Sequence, residues 1–210
     1  MSSTTELSFI HRFQPAAEPG KRPILLLHGT GGNEDDMLPL GGMIAPGAAL
    51  LSPRGKVLEG GLPRFFRRLA EGIFDEEDVR RRAHELADFV AEARDAYGLP
   101  APVAVGFSNG ANIAAAVLQL RPEALAGAAL LRAMVPLRDP PVADLADKSV
   151  LIVSGAMDPI VPADNAKRLA SLLTGAGAAV QHEVLPTGHG LSQADLALTK
   201  TWFGRLSSPR

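Results

Sequence analysis

Short apolar runs alternate with amphipathic stretches along most of this 210-residue chain, and no other feature restricts its fold as strongly. Seven segments read as strands: 7–13 (LSFIHRF), 23–29 (PILLLHG), 48–54 (AALLSPR), 102–108 (PVAVGFS), 126–133 (AGAALLRA), 149–155 (SVLIVSG) and 178–185 (AAVQHEVL). Several are nearly unbroken Val, Ile, Leu and Ala, as a strand needs when both of its faces are buried in a parallel sheet. The first alternates polar with apolar residues and suits an edge. Helical patterns fill the intervals at 33–44, 75–97, 109–121, 163–174 and 192–206. In 75–97, Val79, Ala83, Leu86, Val90, Ala93 and Tyr97 form one apolar stripe. Four carboxylates (Asp75 to Asp78) sit at the positive end of that helix, and Gly98 and Pro100 stop it. Ser192 and Asp195 make a capping-box variant at the start of the last helix. Strands alternating with helices predict an α/β fold, a mainly parallel central sheet of about seven strands with helices on both faces.

Composition narrows the function. With 46% hydrophobic and 21% charged residues, the chain suits one globular domain over 1–210. A net charge of −2 and a pI near 6.2 argue against nucleic acid or an anionic membrane as partner. The arginines at 64, 67, 68 and 80–82 read as solvated faces. There is no cysteine, which excludes disulfides, thiolate nucleophiles and thiolate-bound metals. The first 13 residues lack a basic region followed by an apolar core, so no secretory signal is expected. No apolar run approaches the roughly 18 residues of a membrane span. A cytoplasmic protein is the expectation.

Gly106-Phe107-Ser108-Asn109-Gly110 fits G-x-S-x-G and joins a buried strand directly to a helix. A serine there stands on a sharp turn at the carboxyl end of the sheet, and the two glycines avoid collisions with strand and helix. The following helix aims its free N–H groups at the same point. A serine hydroxyl needs a base. Of five histidines, His11 and His182 lie within strands, His84 lies on the long helix, and His28 ends a strand whose loop has another use. His189, in the turn PTGHGLS after the last strand, returns over the carboxyl ends of the strands and is the expected base. Asp158, in GAMDPIVP at the exit of the preceding strand, is the expected carboxylate partner, while Asp139, Asp144 and Asp147 read as turn and cap residues. The order Ser108, Asp158, His189 belongs to one arrangement in particular. An oxyanion would need preorganised N–H donors, for which the backbone of Asn109 and the backbone of Thr30 in LLLHGTGGNEDD are the candidates. That glycine loop fits neither G-x-G-x-x-G nor a P-loop.

LLLHGTGGNEDDMLPL, VGFSNGAN, GAMDPIVP and TGHGLS, in that order, resemble the α/β-hydrolase superfamily, and within it the phospholipase/carboxylesterase branch that includes the acyl-protein thioesterases. The resemblance spans residues 23–204. It implies a small serine esterase without a large lid domain, often dimeric, acting on small carboxylic esters or thioesters with no metal or cofactor. Acyl-protein thioesterases usually carry Trp and Asp between the strand at 48–54 and the next helix. This chain has GLPRFFRRLAEGIFDEED there, closer to bacterial carboxylesterases and to hydrolases of quinone and hydroquinone resistance. The expected activity is hydrolysis of short-acyl or aryl esters. The alternatives are an acyl thioesterase or lysophospholipase, and a non-catalytic hydrolase fold that binds a ligand. Segment 56–74 is expected over the mouth of the site, with Leu62, Phe65, Phe66 and Phe74 as pocket or core residues and Arg54 or Arg132 as contacts for a polar substrate group.

Overall fold

All seven expected strands pair into one sheet in the computed structural model, which describes residues 7–206. Residues 1–6 and 207–210 lie outside the description, and with them much of the stretch read for a secretory signal. The strands are β1 (His11–Gln14), β2 (Ile24–Leu27), β3 (Leu50–Pro53), β8 (Val103–Phe107), β9 (Gly127–Leu131), β10 (Ser149–Gly155) and β11 (Ala179–Leu185). Between β3 and β8 lie four very short ones: β4 (Val57–Glu59), β5 (Leu62–Arg64), β6 (Arg68–Ala70) and β7 (Ile73–Phe74). The large sheet runs β1-β3-β2-β8-β9-β10-β11. Every neighbouring pair is parallel except β1 with β3, and the alternating β1 is indeed an edge.

The near-continuous apolar runs follow from burial on both faces. Leu25, Leu27, Ala104, Leu130 and Ile152 pack on one side, and Ile24, Leu26, Val103, Val105, Leu131 and Val153 on the other. The first side is covered by α2 (Glu76–Tyr97), α3 (Asn109–Leu120) and residues of α4 (Ala163–Gly175), the second by α1 (Leu38–Ile44) and α5 (Gln193–Leu206). This is the α/β-hydrolase architecture, with no large extra domain. In α2, Asp75 caps the first turn by accepting from the Asp78 N–H at 3.2 Å, and Gly98 closes the helix with φ 65°. Helix α1 starts later than expected. Asp36 accepts from the Asn33 N–H and Asn33 from the Asp35 N–H, so local side-chain bonds hold these amides in turns instead. Among the described residues, no helix is long and apolar enough to cross a membrane.

The short strands form two hairpins, β4 with β5 and β6 with β7, that the sequence reading did not anticipate. Their local signals are turn glycines at positive φ: Gly60-Gly61 (57° and 84°) between β4 and β5, and Gly72 (72°) between β6 and β7, as tight two-residue hairpin loops require.

Candidate active site

Ser108 joins β8 to α3 with φ 52° and ψ −114°, a conformation a non-glycine residue adopts only under strain of roughly 1–3 kcal/mol. Two bonds hold it: its N–H donates to Leu131 O at 2.8 Å, and its carbonyl accepts from the Asn112 N–H at 3.0 Å. The flanking glycines are sterically required. A Cβ on Gly106 would lie 2.5 Å from Gly110 O, and one on Gly110 would lie 2.0 Å from Leu27 O. The helix therefore approaches the sheet closely enough to turn the serine outward.

The structure brings the three expected side chains together. His189 Nε2 lies 3.0 Å from Ser108 Oγ, and His189 Nδ1 lies 2.8 Å from Asp158 Oδ2. An ionised Asp158 only accepts, so Nδ1 carries the proton and Nε2 is free to accept from the serine hydroxyl. The Asp158 side chain is fully buried, and its second oxygen accepts the N–H groups of Ile160 (2.8 Å) and Val161 (3.1 Å). Both carboxylate oxygens are thereby fixed.

The loop bearing His189 is itself bolted down by a residue that sequence reasoning assigned elsewhere. Arg132, fully buried, donates to Gly188 O (3.0 Å), Thr187 Oγ1 (3.0 Å) and Gly190 O (3.2 Å), and forks onto both oxygens of Asp195 at 2.7 and 2.9 Å. Burial by itself would raise the Asp195 carboxyl pKa, but hydrogen bonds from Arg132 and Ser192 hold it below its ordinary value. Ser192 donates both its N–H and its hydroxyl to Asp195 Oδ2, so one half of the expected capping box forms, the hydroxyl turning to the carboxylate, and the same carboxylate also anchors the arginine. Arg132 has no N–H left for a substrate. Arg54, the other arginine proposed for that contact, forks onto Glu34 at 2.5 and 2.7 Å. A lone arginine inside the apolar run AALLRAMV was the available signal for a buried anchoring role.

Thr30 and Asn109 flank the serine, and no described residue accepts the backbone N–H of either. Thr30 is held on three sides. The Gly31 N–H donates to Pro63 O at 2.9 Å, the Gly32 N–H donates to Gly29 O at 3.1 Å, and Thr30 Oγ1 accepts from Arg64 Nη1 at 2.7 Å. His28 braces the base of this loop. Its Nδ1 sits 2.7 Å from Gly29 O, which can only accept, and its Nε2 accepts from the Gly55 N–H at 3.0 Å. That pattern demands the neutral imidazole, and burial lowers the pKa of His28 accordingly. His11 bonds to Phe9 O and the Tyr97 hydroxyl, His182 bonds to Ser154 Oγ, and His84 is exposed. None of these three approaches Ser108.

Segment 56–74 does border the site. The Phe65 N–H donates to Asn109 Oδ1 at 2.7 Å. Of the residues weighed as pocket lining, Phe65 and Phe66 are core, Leu62 is exposed beside Gly31, and Phe74 alone reaches the cavity. Arg64 departs from its expected solvated face: it is buried and part of the cavity wall. The cavity beside Ser108 and His189 has a volume of about 360 Å³ and is walled by Arg64, Arg68, Phe74, Asn112, Met134 and Val161. A second, more apolar hollow of about 450 Å³, with Met37, Leu40 and Leu191, shares Thr30 and Phe107 with it.

The chain belongs to the α/β-hydrolase family. The family model for the α/β-hydrolase fold matches residues 52–149. The putative hydrolase MhqD of Bacillus subtilis (strain 168) is 44% identical over 182 residues, which are 86% of this chain and 91% of that protein. Among solved structures, the carboxylesterase of Bacillus cereus superposes with a TM-score of 0.92 at 46% identity, over 94% of each chain. The carboxylesterase of Mesorhizobium loti does so with 0.90 at 33% identity, over 98% of this chain and 97% of its own.

Proposed function

We propose that this protein is a serine carboxylesterase that hydrolyses small carboxylic esters through an acyl-enzyme. The observation that carries the reading is the continuous hydrogen-bonded chain from Ser108 Oγ through His189 to Asp158. Ser108 Oγ attacks the ester carbonyl while His189 Nε2 takes its proton, and the same proton passes to the departing alcohol. Asp158 keeps the imidazole in the required tautomer and stabilises its cation. The N–H groups of Thr30 and Asn109 receive the oxyanion, each such donor being worth roughly 2.7–4 kcal/mol in related sites. Water then repeats the sequence on the acyl-serine to release the acid. Likeness to the two carboxylesterases supports an ester as substrate. Hollows of about 360 and 450 Å³ on either hand of Thr30 suit small acyl and alcohol groups.

The test is Ser108→Ala assayed with p-nitrophenyl acetate and butyrate. Turnover should fall to background while the far-UV spectrum and Tm are retained. Persistent turnover in the purified variant would refute the assignment.

A further inference from the structure

Two of the most buried polar side chains around the cavity have donor nitrogens with no acceptor. Asn112 is 5% exposed, and its Oδ1 accepts from the Met134 N–H at 2.7 Å. That bond fixes the amide orientation and leaves Nδ2 as the end facing away from Met134, in a residue that lines the cavity. No described residue accepts from Nδ2. Arg64 is 3% exposed, with Nε on Phe66 O and Nη1 on Thr30 Oγ1, while Nη2 has no hydrogen-bond acceptor among the described residues. Asn109 Nδ2, fully buried at the start of the same helix, is also unpaired. Asn112 Nδ2 and Arg64 Nη2 are thus free donors at the cavity, whereas Phe74, Met134 and Val161 give it an apolar side. Asn112, in the first turn of α3, follows the N-cap residue Ser108 by four positions, which places it roughly 6 Å further along the helix axis, the reach of two or three bonds from a carbonyl held at the serine.

The charges nearby are balanced. Arg64 and Arg68 share Glu59, at 3.2 and 2.8 Å, and Glu71 is the one carboxylate on the cavity lining. With Arg132 paired to Asp195, the three guanidinium groups of the lining are matched in number by the carboxylates of Glu59, Glu71 and Asp195, so the vacancy is for a neutral acceptor and not for a further anion.

We propose that this cavity is a specificity subsite for esters carrying a neutral acceptor oxygen (ether, hydroxyl or keto) two or three bonds from the scissile carbonyl, with Asn112 Nδ2 as its principal donor. Plain alkyl esters of the same shape leave Asn112 Nδ2 and Arg64 Nη2 without an acceptor in a desolvated site, and such a site discriminates against them. The inference rests on Ser108 being the nucleophile.

Isosteric pairs test it in the intact protein: p-nitrophenyl methoxyacetate against p-nitrophenyl butyrate for the acyl side, and methoxymethyl butyrate against n-propyl butyrate for the alcohol side. Each kcat/KM is divided by the ester's rate constant for hydroxide hydrolysis, which removes intrinsic reactivity. One pair should favour the oxygen-bearing ester by about fivefold or more, the size of a neutral hydrogen bond. In Asn112→Asp, whose carboxylate still accepts from the Met134 N–H but presents no donor, that preference should disappear or invert. Equal corrected values in both pairs for the wild type would overturn the proposal, as would an unchanged preference in an Asn112→Asp protein of normal Tm. Butyrate turnover without any preference removes this proposal alone, whereas no turnover of any ester removes the nucleophile assignment with it.

Discussion

Arg132 grips Asp195 through both Nη nitrogens, at 2.7 and 2.9 Å, and binds three residues of the loop that carries His189. The base of the proposed reaction is thus held by a buried ion pair 63 residues apart in sequence and absent from the usual three-residue description of such sites. Arg132 itself has φ 58°, so its backbone is strained in the same sense as that of Ser108.

Arg132→Met should cost about 3–5 kcal/mol of stability, because it strands the Asp195 carboxylate in the interior. Adding Asp195→Asn removes the stranded charge and should restore a large part of that loss. Esterase turnover should stay low in the double variant, since Gly188 and Gly190 remain unheld. Urea unfolding and kcat measured on the same preparations separate the two effects. Recovery of both together would mean that Arg132 serves stability alone.

Asp158→Asn should lower kcat by roughly 10⁴, as the analogous change does in a serine protease, with little loss of Tm. Thr30→Ala should be far milder, because the proposed donor is a backbone N–H that the substitution keeps. Equal losses in the two variants would argue against the backbone role of Thr30.

Gly110→Ala should destabilise the fold by at least about 3 kcal/mol, because the added methyl would stand 2.0 Å from Leu27 O and backbone atoms must move. The urea midpoint of the variant reads this directly, and a near-normal midpoint would show that α3 can back away from the sheet.

Stability should fall in mild acid. Burial lowers the pKa of His28 and of His182 from the ordinary 6.5, so the unfolded chain binds protons there that the folded chain refuses. Their contribution is complete above about pH 6.5 and is lost as pH drops through their folded values. Tm should decline between pH 7 and 5, and His28→Gln should flatten part of that slope. A slope unaltered in His28→Gln and His182→Gln would assign the decline to other groups.

The sheet and its helices were legible because burial on both faces forces uninterrupted apolar runs, and Ile24 to Leu27 or Ser149 to Gly155 suit no other setting so well. The two hairpins between β3 and α2 were not legible. Their strands have two or three residues, too few to show a period, and only Gly60-Gly61 and Gly72 marked turns. Ser108, Asp158 and His189 could be singled out because each follows the carboxyl end of a strand, buried for the first two and at the sheet edge for His189, within a few residues of glycine or proline. Arg132, Arg64 and Asn112 could not be assigned, since what each does depends on partners across the fold: Asp195, Thr30 and Met134. Charge alone suggested solvent or substrate for the arginines, and burial decided otherwise.

The central claim is that Ser108 is activated for attack by His189. A fluorophosphonate probe followed by peptide mapping tests it most directly. One covalent adduct is expected, on Ser108, absent from Ser108→Ala and formed orders of magnitude more slowly in His189→Ala. An adduct on another residue, or labelling of Ser108 at the same rate without His189, would contradict the account.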